Sequence, residues 1–135
     1  MTGRVAALDP GEVRTGVALS DPGRVLATPL EVVPSADLTG YLARLFEEQD
    51  VREVVVGMPK TLAGEIGPQA RKVLDTLAGL RREFPDVRFV EWDERLTTRV
   101  AAAGGGGKRK GKRVRVDHLA AAGMLQEYLA RRGDL

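Results

Sequence analysis

The 135-residue sequence contains no cysteine. Disulfides, thiolate metal sites and cysteine nucleophiles are therefore excluded. Nothing crosslinks the chain, but at this length a domain buries roughly two-thirds of the surface its unfolded form exposes, enough for a core of its own. Aromatic residues are scarce, with one Trp, two Tyr and three Phe. None interleaves the main cluster of basic residues, so stacking on nucleobases is poorly supported. No apolar run reaches the ~18 residues of a membrane span, and the opening MTGRVAALDPGEV lacks the apolar segment of a secretory signal. The expectation is a soluble, cytoplasmic protein with no membrane partner.

Net charge is also small, +2, but it is unevenly spread. Of the 21 basic residues, six (Lys108, Arg109, Lys110, Lys112, Arg113 and Arg115) lie within one short stretch, leaving 15 basic against 19 acidic residues elsewhere. A concentrated positive segment on a mildly acidic body is the footprint of a polyanion partner. The stretch GGGGKRKGKR around it is low-complexity, and four consecutive glycines make ordering costly. A flexible Gly/Lys/Arg-rich loop is expected at about 104–115, within a single domain spanning 1–135.

Hydrophobic periodicity gives the elements. RVAALD (Arg4–Asp9) and TGVALS (Thr15–Ser20) read as strands joined by the turn residues PGEVR. RVLATPLEVV (Arg24–Val33) reads as a third strand, with Pro29 marking an edge or a bulge. Leu38, Tyr41, Leu42, Leu45 and Phe46 recur at helical spacing, with Ser35 or Asp37 available as a cap. REVVVGMP is a strand covered on both faces, PQARKVLDTLAGLRREF is a helix with Pro68 in its first turn, and VRFVEWDE is a fifth strand. TTRVAAA is a short helix, and VDHLAAAGMLQEYLARR, from Val116, is the last. The order βββαβαβ(α)α predicts an α/β fold: three antiparallel strands, two more added in parallel through helices, and helices flanking the sheet.

Three carboxylates sit at ends of these elements. Asp9 closes the first strand, Glu94 with its neighbour Asp93 closes the fifth, and Asp117 opens the last helix. Each has an ordinary alternative: Asp9 as a turn residue before Pro10-Gly11, Asp117 as an N-cap, and Asp93 and Glu94 as surface partners of Arg95 or Arg99. Brought to one sheet edge, the three would repel unless a hard cation neutralised them. Magnesium binds through carboxylate oxygens, and paired ions can promote phosphodiester hydrolysis.

ALDPGEVRTGVALSD, VVVGMPKTLAGEIGPQA, VEWDERLTT and VDHLAAAGMLQEYL, in that order and spacing, resemble the YqgF/RuvX family. These are Holliday-junction-resolvase-like proteins assigned to pre-16S rRNA cleavage. The resemblance covers nearly the whole chain. It implies an RNase H-like fold and metal-dependent nuclease activity with Mg²⁺ or Mn²⁺, in 5′-end processing of pre-16S rRNA and extending to DNA or branched junctions. It places the catalytic and metal-binding carboxylates at Asp9, Glu94 and Asp117, with Asp93 and His118 as auxiliary candidates. The position three residues after the last aspartate, acidic or histidine in true junction resolvases, is Ala120.

Arg14 in the first hairpin, Lys60 in the loop after the fourth strand, and the basic residues 108–115 are the expected nucleic-acid contacts, gripping phosphates without reading bases. Gln69 is a further candidate. Two rivals remain open on sequence grounds. DPGEVRTG also resembles the phosphate loop of actin-like ATPases, although the chain is short for two such lobes. A non-catalytic nucleic-acid-binding factor in ribosome assembly or transcription is the other. RNA against DNA, and monomer against homodimer, are likewise open.

Overall fold

In the computed structural model the described residues are 3–59, 67–93 and 113–133, with side chains of the last segment described for 118–131. Val5–Leu8 are consecutive apolar residues, and such a run is stable only when both of its faces are covered. It forms the middle of β1 (Arg4–Pro10), which lies at the centre of the sheet. β2 (Arg14–Ser20) returns antiparallel beside it, with Asp9 opposite Gly16 and Pro10 opposite Thr15. β3 (Ala27–Pro34) pairs antiparallel with β2 and forms one edge.

Both readings of Pro29 hold. β3 is an edge strand, and its register with β2 shifts between Val17, opposite Glu31, and Ala18, opposite Pro29. The third strand begins later than the sequence predicts, and Asp21 is the reason. Its Oδ1 accepts the amides of Leu26 (2.8 Å) and Val25 (2.7 Å), which keeps residues 24–26 out of the strand. These two bonds, that of Leu26 the larger, hold the Asp21 carboxyl below its ordinary pKa.

A 3₁₀ turn (Ser35–Asp37) leads into α1 (Leu38–Gln49), whose Leu38, Leu42, Leu45 and Phe46 are buried, as their spacing requires. The helix stops at Asp50, which takes the left-handed conformation at φ 52° and donates its amide to the Phe46 carbonyl. β4 (Val51–Met58) then pairs in parallel with β1. α2 (Pro68–Glu83) follows, and β5 (Arg88–Asp93) pairs in parallel with β4. The sheet order is β3-β2-β1-β4-β5, the mixed five-stranded architecture expected from the sequence.

The last helix, α3 (Arg113–Gly133), starts three residues before Val116, where the apolar pattern places it. Arg and Val continue a helix, and the nearest breaker upstream is Gly111. Arg113 and Arg115 thus belong to α3 rather than to the glycine-rich loop, and Asp117 is inside the helix rather than at its cap. The short helix read at 97–103 lies outside the described residues. No helix among the described residues is long and apolar enough to cross a membrane.

Strand alternation divides the core. Ala6, Leu8, Val17, Val54, Val56 and Phe89 face α1 and α2. Val5, Ala7, Ala18, Val55 and Trp92 face α3 and meet its Ala121, Met124, Leu125, Tyr128 and Leu129. At the far end of this second face, Glu53 of β4 is fully buried. It accepts a hydrogen bond from the Tyr128 hydroxyl and lies 3.4 Å from Nη1 of Arg24. Arg24, at φ 61°, also donates from Nε to the Gly3 carbonyl at 2.7 Å. Among the described residues no buried side-chain polar atom lacks a partner.

Candidate active site

Parity places Asp9. Val5 and Ala7 face α3, so Asp9, two residues on, stands on the same face at the end of β1. It is half-buried there. Its antiparallel neighbour is Gly16. On the other side the last paired residues of β1 and β4 are Leu8 and Val56, so the next position along β4 is Gly57, itself opposite Trp92 of β5. Both strands that flank β1 therefore carry glycine at the level of Asp9. Glycine on a flanking strand adds no side chain beside the carboxylate, as a phosphate and its counter-ion require. Arg14 shares the parity of Gly16 and thus the face of Asp9, and it is exposed.

The turn carrying Asp9 is fixed from below. Ser35 Oγ donates to the Gly11 carbonyl at 2.8 Å. A hydroxyl has one proton, so in the 2.9 Å contact between Thr15 Oγ1 and Ser35 Oγ the threonine is the donor. The Ser35 amide adds a bond to the Val13 carbonyl at 2.8 Å. Gly11 must be glycine, since a Cβ there would lie 2.6 Å from the Arg14 carbonyl oxygen. The capping role read for Ser35 and Asp37 is corrected accordingly. Asp37 occupies the N-cap position of α1 with no side-chain cap bond, and the Ser35 hydroxyl serves the hairpin. Sequence reasoning missed this role because the partners are 20 and 24 residues apart.

The structure separates Asp9 from Asp93. Asp93 pairs with Met58, and the rows Val54–Phe89 and Met58–Asp93 share the α1/α2 face. Asp9 is on the other. Glu94, Lys60 and Lys108, Arg109, Lys110 and Lys112 lie outside the described residues. Asp117 is the fifth residue of α3, in its second turn, and Arg113 and Arg115 precede it; the side chains of these three lie outside the described set. His118, next to Asp117, is half-buried. Trp92 is a core residue, stacked edge-on against Tyr128 at 5.9 Å with Arg131 over its ring. Among the described residues no three His, Cys, Asp or Glu side chains converge as a metal site. The fit of a cation rests on Asp9, an oxygen donor suited to a hard divalent ion, with glycine at its level on both flanking strands.

A mixed sheet of this order, with helices on both faces, is the RNase H-like fold. Thermus thermophilus RuvC, solved in complex with Holliday junction substrate, has the same fold, with a TM-score of 0.60 over 97% of this chain and 96% of that one at 16% identity. The family model RuvX, Holliday junction resolvase, matches residues 3–131. A Rubrobacter xylanophilus protein named "Putative pre-16S rRNA nuclease" is 65% identical over 128 residues, spanning 94% of this chain and 92% of its own length. A Desulforudis audaxviator protein of the same name is 42% identical over 134 residues, 93% of each chain. The chain belongs to the RuvX family, the YqgF/RuvX family whose motifs its sequence resembles.

Proposed function

We propose that the chain is a single-domain nuclease that hydrolyses phosphodiester bonds in RNA, trimming the 5′ end of pre-16S rRNA with a divalent cation, Mg²⁺ or Mn²⁺. The observation that carries this reading is the placement of Asp9 at the open end of the central strand, flanked by glycine positions, in a chain 65% identical to a relative bearing that name. Asp9, Glu94 and Asp117 would hold the cation. When bound, it supplies Lewis-acid activation of the phosphoryl group. Glu94 is favoured over Asp93 because Asp93 shares a face with Met58, away from Asp9.

The chain's own groups do the rest. Asp9 presents its carboxylate on a turn that the Ser35 and Thr15 hydroxyls hold still, which limits the motion lost on binding. Arg14, on the same face, meets phosphate charge. Lys60, Lys108, Arg109, Lys110, Lys112, Arg113 and Arg115 supply further cations for the backbone. Such contacts position a strand and carry no sequence information, so binding should weaken steeply with salt.

The test is cleavage of labelled single-stranded RNA, single-stranded DNA and a four-way junction with Mg²⁺, Mn²⁺ or EDTA, for the wild type and Asp9→Asn. RNA cutting that EDTA stops, and that falls more than ~10²-fold in Asp9→Asn, is expected, since preorganised electrostatic partners act on that scale. Salt-sensitive binding with no cutting of any substrate would refute the nuclease reading and leave a binding factor.

A further inference from the structure

A cavity of about 180 Å³ opens beside the turn that follows Asp9. Pro10, Gly11 and Glu12 form one wall, and Gln69, Lys72 and Thr76 of α2 the other, with Val73 and Ser35 at the base. At ~30 Å³ per water it holds about six waters. That is room for one sugar and its phosphate, and too little for a whole drug-sized ligand. We propose that it is a subsite for the sugar–phosphate unit next to the scissile phosphate. The proposal rests on the nuclease reading of Asp9.

Position is the first argument. Gly11 is two residues from Asp9 along a trans backbone, so the cavity wall begins within ~7.6 Å of the Asp9 Cα. Asp9 itself faces α3, whereas Val73 at the cavity base belongs to the core under α1 and α2. A strand whose phosphate sits at Asp9 and whose neighbouring unit enters the cavity therefore crosses the end of the sheet from one face to the other.

Chemistry is the second argument. Lys72 is exposed and makes no ion pair with any described residue, so its charge is available to a phosphate. Gln69 and Thr76 offer both donors and acceptors to sugar oxygens. Ser35 offers only an acceptor, because its proton is given to Gly11. Glu12 would repel a phosphate, but it accepts from a ribose 2′-hydroxyl, the group that distinguishes RNA from DNA. A second cavity, about 450 Å³, lies at the opposite end of the sheet, and its charged lining, Glu47, Asp50, Glu83 and Asp86 against a single Arg52, is net negative. That charge rejects a nucleic-acid backbone.

The experiment uses fluorescein-labelled 12-nucleotide single-stranded RNA, the same RNA shortened to end at the cut site, and a version with one 2′-deoxy residue beside it. Kd by anisotropy in EDTA and KM and kcat with Mg²⁺ are measured for the wild type, Lys72→Glu, Glu12→Gln and, as a charge control at the other end of α2, Arg82→Glu. Lys72→Glu is expected to raise Kd and KM about tenfold, the worth of one charge-assisted contact, with kcat within about twofold and Arg82→Glu without effect. The shortened RNA should bind the wild type about tenfold more weakly and lose nothing further in Lys72→Glu. The 2′-deoxy substitution should weaken binding to the wild type and not to Glu12→Gln. Equal losses in Lys72→Glu and Arg82→Glu, or a Lys72→Glu loss that persists with the shortened RNA, would overturn the subsite. Binding that depends on Lys72 without any cleavage would keep the subsite and refute the nuclease; cleavage indifferent to Lys72 would do the reverse.

Discussion

The two faces of the sheet are built to different specifications. Beneath α1 and α2 the strands present Leu8, Val17, Val54, Val56, Met58 and Phe89, and the helices answer with Leu42, Phe46 and Leu77. Beneath α3 they present Ala7 and Ala18 at the centre with Val5, Val55 and Trp92 around them, then glycine beside Asp9, and, at the other end, a buried Glu53. The first face is filled by large apolar side chains, and burial sets its stability. The second lets one helix approach closely through small residues, and it is pinned by polar groups. Bulk is withdrawn at the level of Asp9, where both flanking strands carry glycine.

Substitutions can break that comparison. Leu42→Ala strikes the large-residue face and should cost ~2–5 kcal/mol of stability in urea unfolding; a loss as small as that of a surface variant would show that α1 is not central to the core. Gly16→Val fills the space beside Asp9. Its far-ultraviolet circular dichroism should be unchanged while RNA cleavage falls ~10²-fold, the scale of a small misplacement at a reacting centre. Full activity in that variant would mean that the glycine has no role. Tyr128→Phe removes the hydroxyl that Glu53 accepts from and should cost about 1–3 kcal/mol, the penalty for an underpaired buried group; an unchanged unfolding midpoint would show that the hydroxyl is not needed to satisfy Glu53.

The smallest effect is expected at Asp21. The amides of Leu26 and Val25 depress its pKa in the fold, so its contribution is present above the ordinary value of 3.8 and is lost as pH falls through the lower folded value. The advantage of the wild type over Asp21→Asn, followed by thermal unfolding, should therefore vanish on strong acidification. A difference that stays constant down to pH 2 would contradict it.

What could be read in the sequence follows the range of each interaction. α1 was legible to the residue because its apolar spacing is local, and Pro29 announced both an edge and a register shift because proline lacks a donor. The late start of β3 was hidden in one Asp21 carboxylate that captures amides four and five residues on. The start of α3 was missed because its first turn carries no apolar stripe. Nothing local marks Glu53 as a buried, paired carboxylate, because its partner Tyr128 is 75 positions away. At the site, Asp9 could be named from its strand end, but the glycine at Gly57 acquires meaning only when β4 is laid beside β1 in register. Resemblance favoured Glu94 over Asp93 while strand alternation left the choice open, and it is the pairing of Asp93 with Met58 that bears on it.

Because α3 is the last described element, the order of synthesis matters. Everything needed to close the α1/α2 face has been made once residue 93 is added, whereas α3 ends about 40 residues later. At ~5–20 residues per second, that interval is about 2–8 s. For much of it Asp117 is yet to be made. On the proposed reading, the set of carboxylates that would hold the cation stays incomplete until the segment carrying Asp117 has been made.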